Sequence, residues 1–298
     1  MVNKKVIVIA GPTASGKTAL AVRLARSEGT SIISADSRQC YKELDIGVVK
    51  PSPAELQLVR HFFISSHYLH EPVNAVQFEQ LSMGWAENIF REKDSLIMAG
   101  GTGLYIQAFC QGLDDIPEVD LSVRRQIRTE YEKHGIGWLQ DRVRDTDPRF
   151  YAEGEILNPR RLMRALEVRM TTGDSILSFR KGNRKYRPFR IIKIGMDLPR
   201  ETLKQHIDSR VDRMIDLGLV EEVRRLLPYR HFNALQTVGY WEIFQYLDGE
   251  ITLDEAIGRI KTNTRQYAKR QLTWFRKDSS ITWVHPADDH SIEKIIKS

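Results

Sequence analysis

The chain opens on an apolar run, VIVIA (6–10), that stops at Gly11 and gives way to a helix beginning at Lys17. Similar runs recur at SIISA (31–35), HFFIS (61–65) and SLIMA (95–99). Between the last two, Phe78, Leu81, Trp85 and Ile89 repeat at spacings of three and four, the mark of one helix face. Short apolar strands alternating with helices predict a parallel sheet covered on both sides.

From about Leu113 to Pro188 the pattern changes, and only helical segments follow. Leu121, Val123, Ile127 and Tyr131 mark one, closed by Gly135; Trp138, Leu139 and Val143 mark another, closed before Pro148. A third opens at Asn158-Pro159, an N-cap followed by proline at the first helical position, and closes at Gly173. Strand character returns in RIIKIGM (190–196) and once more in ITWV (281–284). Between them, Leu203, Ile207, Val211 and Met214 form a helical stripe ending at Gly218, and Thr252 with Glu255 makes a capping box for a long helix toward Phe275. The expected organisation is an α/β core over 1–112 and 189–298, interrupted by an α-helical insertion over 113–188.

Composition narrows the setting. In 298 residues, 41% hydrophobic side chains are ample for packed cores, and a formal charge of +6 is compatible with an anionic partner. Cys40 and Cys110 form no metal or redox spacing, and His61, His67 and His70 fit no zinc template. The apolar run before Gly11 is too short for a signal segment, and no later stretch approaches the ~20 apolar residues of a membrane span. A cytoplasmic protein without a membrane partner is expected.

The candidate chemistry gathers where strands end and helices begin, the ligand edge of a parallel sheet. Gly11–Thr18 reads GPTASGKT, the phosphate-loop pattern, in a strand–loop–helix context. Backbone N–H groups from Gly11 to Gly16 (Gly11, Pro12, Thr13, Ala14, Ser15, Gly16) are expected to converge on a diphosphate, Lys17 to add charge, and the Thr18 hydroxyl to suit Mg²⁺. Asp36 ends the second strand and can be a solvated turn residue, a metal partner or a general base. AGGTGLY (99–105) ends the fourth and can be a ligand-approaching loop with Thr102, or an ordinary glycine turn. No acidic residue ends that strand, which argues against a motor ATPase.

Two helices and a loop carry positive charge. Arg160, Arg161 and Arg164 share a face opposite Leu162, Met163, Leu166 and Met170. Between Ala256 and Lys277 lie seven basic residues and no acidic one; Lys261, Arg265, Lys269 and Arg276 align, interleaved with Tyr267, Trp274 and Phe275. With RKGNRKYR (180–187), these segments suit an RNA backbone with aromatics to stack on bases, although each alone is equally a solvated face.

Six stretches in order, GPTASGKT (11–18), DSRQCYKELDIG (36–47), AGGTGLY (99–105), NPRRLMRALEV (158–168), VGYWEI (238–243) and KRQLTWFR (269–276), resemble the bacterial tRNA dimethylallyltransferases. The resemblance implies a P-loop NTPase-like sheet with an insertion that clasps a tRNA anticodon stem. It implies transfer of a dimethylallyl group from dimethylallyl diphosphate to N6 of the adenosine 3′ of the anticodon, with Mg²⁺ and without ATP hydrolysis; a monomer is expected. By the same resemblance Lys17 and Arg210 would hold the diphosphate, with Arg213 as the fallback, Asp36 would accept the N6 proton, and Thr102 would bond beside it. Asp36, Ser37, Arg38, Gln39, Thr102, Arg124, Arg160, Arg161, Arg164, Gln236, Gly239, Tyr240, Trp241, Lys269, Arg270, Gln271 and Arg276 are the expected tRNA contacts, with Gln39 and Asp36 reading the base edge. The chain departs from the family in DIGVVKP (45–51), where DIGTAKP is usual, in Gln236 and Trp241, and in Arg160. Prenylation of free adenylate, a small-molecule kinase using Asp36 as base, and a non-enzymatic RNA-binding module are the competing readings.

Overall fold

The computed structural model describes residues 4–182 and 184–297; Asn183 of the 180–187 cluster lies outside them. Two compact units result: Met1–Gln111 with Tyr186–Ser298, and Gly112–Lys185.

The larger unit is built on six parallel strands, β1 (Lys5–Ala10), β2 (Ile32–Ser34), β3 (His61–Phe62), β4 (Ser95–Gly100), β5 (Arg190–Met196) and β6 (Ile281–Val284), in the order β3-β2-β4-β1-β5-β6. Its helices are α1 (Lys17–Ser27), α2 (Pro53–Leu58), α3 (Ala75–Phe90) and α4 (Gly103–Gln111) before the insertion. The smaller unit carries α5 (Leu121–Thr146), α6 (Pro148–Glu153), α7 (Pro159–Thr172) and α8 (Ile176–Phe179). After it the larger unit resumes with α9 (Arg200–Asp216), α10 (Leu219–Arg225), α11 (Tyr240–Leu247), α12 (Leu253–Phe275) and α13 (Asp289–Lys297).

The two-residue period of a strand divides the sheet's side chains between two cores. Val6, Val8 and Ala10 of β1 join one with Phe78, Phe109, Phe244 and Ile260; Ile7 and Ile9 join the other with Leu20 and Leu24 of α1 and Ile292 of α13. Both faces of β1 are therefore dry, and the strand reads as a continuous apolar run rather than an alternating one. Strand β3 is shorter than its apolar run because Phe63 and Ser65 take left-handed φ values of 65° and 48°. That bend ends the pairing and turns the Phe63 ring into the core, 5.1 Å from Phe78. Arg187, beyond the insertion, is anchored to this unit: it donates to the carbonyls of Ala108 and Phe109 and pairs with buried Glu79 at 2.7 Å.

In the smaller unit, Ile127, Leu139, Val143, Phe150, Leu162 and Leu166 make one core. The two helices expected on either side of Gly135 are both present within the α5 span: Gly135 takes a non-helical φ of 73° and ψ of −167°, which an L side chain would resist, and breaks the helix there. Helix α7 begins and ends where its caps predict: Asn158 accepts from the Arg161 N–H, Pro159 is its first residue, and Gly173 closes it at φ 80°. The Thr252–Glu255 capping box at the start of α12 is also formed, with Thr252 accepting from the Glu255 N–H at 3.2 Å.

Candidate active site

The phosphate loop leaves β1 and enters α1 at Gly16. Its Pro12 carbonyl accepts from Ser15 Oγ at 2.8 Å and from Lys17 Nζ at 2.6 Å, folding the loop around its own backbone. Pro12 has no N–H, and the Thr13 N–H is taken by Gln271 Oε1 at 2.8 Å. The set of N–H groups available to a ligand is thus narrower than Gly11–Gly16, without Pro12 and Thr13.

Lys17, Thr18, Asp36, Gly100, Gly101, Arg210, Tyr267 and Gln271 surround a cavity of about 310 Å³ together with Thr13–Gly16. Burial, with Arg210 as a like-charged neighbour, lowers the Lys17 pKa to about 7; Asp36 opposes that shift. Burial also lowers the Arg210 pKa. Lys17, Lys50 and Arg210 against Asp36 and Glu55 leave the cavity lining short of negative charge, as an anion site requires. Arg210 donates to Thr13 Oγ1 at 3.1 Å, whereas Arg213, one turn further along α9, is exposed and absent from the cavity wall.

Asp36 follows β2, and its Oδ1 accepts from the N–H groups of Arg38 (2.9 Å) and Gln39 (3.3 Å). These bonds orient the carboxylate and leave Oδ2 for another partner. Thr102 sits at the start of α4 with its Oγ1 accepting from the Ser37 N–H at 3.0 Å, so it fastens the β4 loop to the β2 loop. A second cavity, about 110 Å³, shares Thr13, Asp36, Val48, Val49, Arg210 and Tyr267 with the first and continues into Val211, Met214, Val238 and Ile260. One end of the combined space holds the phosphate loop and Lys17, the other is lined mainly by apolar side chains with Arg38, Thr237 and Thr264 among them, and Asp36 lines both.

Several expected RNA contacts are placed otherwise. Tyr240 is 0% exposed, and its hydroxyl donates to buried Glu222 at 2.6 Å, so it presents no side-chain surface to RNA. Glu222 also accepts from the N–H groups of Ile46 and Gly47, and the Tyr240 ring packs on Gly47, where an added Cβ would come within 2.5 Å of it. Tyr240 therefore holds up the loop carrying Val48 and Val49. Gly239 is buried at φ 97°, ahead of α11. The Gln39 carboxamide, expected to read a base edge, donates to the carbonyls of Val48 (3.2 Å) and Val49 (2.9 Å). Gln271 is 7% exposed and tied within the site, and Phe275 is core rather than a stacking platform. Arg38 lines the apolar cavity, with its buried Nε lacking any hydrogen-bond partner.

The basic stripe of α12 is likewise not a free surface. Lys261 pairs with Asp212 at 2.6 Å, Arg265 with Asp208 at 2.5 Å, and Arg276 with Asp197 at 3.6 Å. The acids of α9 sit four apart, as do Lys261 and Arg265, so this stripe is the seam between two helices. Lys269 and Arg270 remain exposed without an ion pair among the described residues. Trp241 and Gln236 are exposed as well. In the smaller unit Arg161 pairs with Glu155, while Arg124 (3.3 Å) and Arg164 (3.5 Å) share Glu167; Arg160 is exposed and unpaired among the described residues.

The side of α12 that meets the site is the uncharged one. Ile260, Thr264 and Tyr267 line the apolar cavity, Tyr267 and Gln271 the cationic one, and the Trp274 ring covers Gly103. Burial raises the Tyr267 pKa to about 12, so its hydroxyl keeps its proton. The sequence signal was present as steps of four, three, four and three residues along a neutral stripe, overshadowed by the charges beside it.

A Mg²⁺ ion takes oxygen ligands, keeps several waters and binds readily through substrate phosphates. The Thr18 hydroxyl and the Asp36 carboxylate on the cavity wall fit that requirement, while among the described residues no three or more His, Cys, Asp or Glu side chains are grouped so as to hold a metal ion. The residues suit an ion carried largely by a bound diphosphate rather than by a protein cage.

An open parallel sheet with a phosphate loop at its carboxyl edge defines a P-loop NTPase-like protein. Residues 39–278 match the family model described as IPP transferase. The chain is 44% identical over 297 residues to a tRNA dimethylallyltransferase of Cytophaga hutchinsonii, covering 100% of this chain and 98% of that one. Among solved structures it is similar to a full-length tRNA isopentenylpyrophosphate transferase from Bacillus halodurans (34% identity, TM-score 0.71, 99% and 94% of the two chains). It is also similar to a eukaryotic dimethylallyltransferase described as acting on tRNA (27% identity, TM-score 0.79, 99% and 78%). The chain belongs to the IPP transferase family and is a transferase enzyme.

Proposed function

We propose that this protein transfers a dimethylallyl group from dimethylallyl diphosphate to N6 of the adenosine 3′-adjacent to the anticodon of tRNAs, releasing diphosphate. The observation that carries the reading is the combined cavity: a cationic end beside the phosphate loop, an apolar end beside Val48, Val49, Met214 and Ile260, and a carboxylate between them. A prenyl diphosphate has that same polarity.

The chemistry follows from the placement. The N–H groups after Thr13, with Lys17 and Arg210, bind the diphosphate and stabilise the charge that grows on it as its carbon–oxygen bond breaks. A new bond forms between that carbon and N6. Adenine's amine is a weak nucleophile, and Asp36, oriented through Oδ1, takes the departing N6 proton on Oδ2. Thr18 would hold Mg²⁺ together with diphosphate oxygens; when bound, the ion neutralises leaving-group charge. The apolar wall excludes water that would otherwise trap an electron-poor allylic carbon. The target adenosine leaves its stack to reach Asp36, and Lys269, Arg270, Arg160 and Trp241, all exposed, contact the RNA. The α-helical insertion grips the anticodon stem, and the enzyme works as a cytoplasmic monomer. Among the described residues no helix is long and apolar enough to cross a membrane.

Purified protein, Mg²⁺ and labelled dimethylallyl diphosphate are mixed with an anticodon stem-loop bearing adenosines 3′ of the anticodon. Label is expected in the stem-loop. Label in free AMP but not in the stem-loop overturns the RNA assignment, and ATP consumption without prenyl transfer overturns the reaction.

A further inference from the structure

Gln271 belongs to a helix that carries exposed cations, yet its own side chain is buried, at 7% exposure. Its carboxamide joins two loops far apart in sequence. Oε1 accepts from the Thr13 N–H of the phosphate loop at 2.8 Å, and Nε2 donates to the Gly101 carbonyl at 2.9 Å. The fit at Gly101 is close: a Cβ there would fall 2.2 Å from Gln271 Nε2, so only glycine leaves room for this bond. Thr13 then carries the constraint onward, since its Oγ1 accepts from Arg210 of α9 at 3.1 Å. Three elements, α12, the phosphate loop and α9, are thus linked through one side-chain amide and one threonine.

This linkage has a chemical consequence. A phosphate loop normally offers its N–H groups to the anion, but here one is bonded to a side chain of a distant helix. The arrangement exchanges a ligand contact for a fixed loop position. Thr13 so held gives Arg210 a seat beside the cavity; without that seat, a long side chain would lose orientation on becoming free to rotate.

We infer that Gln271 is the positioning residue of the diphosphate site, fixing Thr13 and through it the Arg210 guanidinium, rather than a residue that contacts RNA. The inference deepens the proposed reaction and rests on it only in naming diphosphate as the anion. Amide N–H groups with side-chain acceptors that lock a loop are slow to exchange, so the first readout needs no ligand at all.

Hydrogen exchange of the free full-length protein tests the linkage directly. Gln271→Met keeps the volume and removes both bonds; the Thr13 amide is expected to exchange at least tenfold faster, with α1 and β1 unchanged. Unaltered Thr13 exchange in a folded variant overturns the inference, whatever the enzyme's substrate. Calorimetric titration with inorganic diphosphate and Mg²⁺ gives the second readout. Gln271→Met is expected to weaken diphosphate binding about tenfold, with stem-loop affinity within twofold of wild type. Adding Arg210→Met to Gln271→Met should cost much less than Arg210→Met alone, because neighbours in one network are not additive. Fully additive losses, or a loss confined to stem-loop binding, overturn the inference. Thr13→Val, which keeps the N–H but removes the Arg210 acceptor, serves if Gln271→Met fails to fold; diphosphate binding as tight as wild type would then overturn the relay. Normal diphosphate behaviour with no prenyl transfer would instead overturn the proposed reaction alone.

Discussion

The phosphate loop and helix α12 both line one cavity, and they are held in place by different kinds of interaction. The loop folds on local backbone contacts: Ser15 and Lys17 both donate to Pro12, within five residues. Helix α12 is fixed by side chains reaching across the fold: Arg265 to Asp208, Lys261 to Asp212, Gln271 to Thr13 and Gly101. The turn from Pro12 to Lys17 is closed by these local bonds, and only Thr13 at its start is tied to the distant helix. The function of a helix face is decided by whatever packs against it, and neighbouring stripes of α12 accordingly do different things: one seals a seam, one lines the site, and Lys269 and Arg270 face solvent.

Asp36 gives the largest test of that contrast, because it is both a local turn acceptor and the proposed base. Asp36→Ala removes both roles. Asp36→Asn keeps an oxygen for the Arg38 and Gln39 N–H groups but cannot take a proton. Turnover is expected to fall by about 10³-fold in Asp36→Asn, within the range of general-base effects, with stem-loop affinity nearly unchanged. Asparagine at wild-type rate would reduce Asp36 to a turn residue.

Lys17 gives an intermediate effect with a defined pH signature. With its pKa lowered to about 7, the free enzyme carries the ammonium below pH 7 and loses it above. Diphosphate binding recruits the charged form, so the Lys17 contribution is full below pH 7 and declines toward tenfold per pH unit above it. The ratio of wild-type to Lys17→Met diphosphate affinity removes the ligand's own ionisation from the comparison. That ratio should be largest below pH 7 and shrink as pH rises; a flat ratio from pH 6 to 9 would remove Lys17 from the anion's binding set.

The same contrast explains what could be read from the residues. All six strands were legible, and β1, β2, β4 and β5 most plainly, because a strand buried on both faces writes its burial directly into composition, whereas the edge strands β3 and β6 are only partly buried. Gly135, Asn158-Pro159, Gly173 and the Thr252–Glu255 box marked their turns and caps, since caps depend on neighbours in sequence. What escaped was tertiary. Nothing beside Tyr240 announces Glu222 eighteen residues away, and nothing beside Arg265 announces Asp208. A charged residue reads the same whether it will meet a phosphate or a carboxylate. Val48 and Val49 looked like a minor departure in a loop until the fold placed them on the apolar wall.

The smallest predicted effects separate the two outcomes for charge on α12. Lys269 is exposed and unpaired among the described residues, while Arg265, one turn earlier, is bonded to Asp208 through Nε and a terminal nitrogen. Lys269→Ala should weaken stem-loop binding by ~3–10-fold and reduce the salt slope by about 0.7–0.9, the value for one lost phosphate contact. Arg265→Ala should leave that slope unchanged and lower the melting temperature instead. Its ion pair is partly solvent-exposed, so the loss is about 1 kcal/mol at most, or ~2–4 °C. Thermal melts beside salt-dependent binding isotherms of both variants resolve the two effects. If Arg265→Ala flattens the salt slope as much as Lys269→Ala, the α9–α12 seam opens to RNA and its carboxylates are displaced on binding. If neither does, the phosphate contacts of this helix fall to Arg270, whose guanidinium lies 5.8 Å from the Tyr267 ring at the mouth of the site.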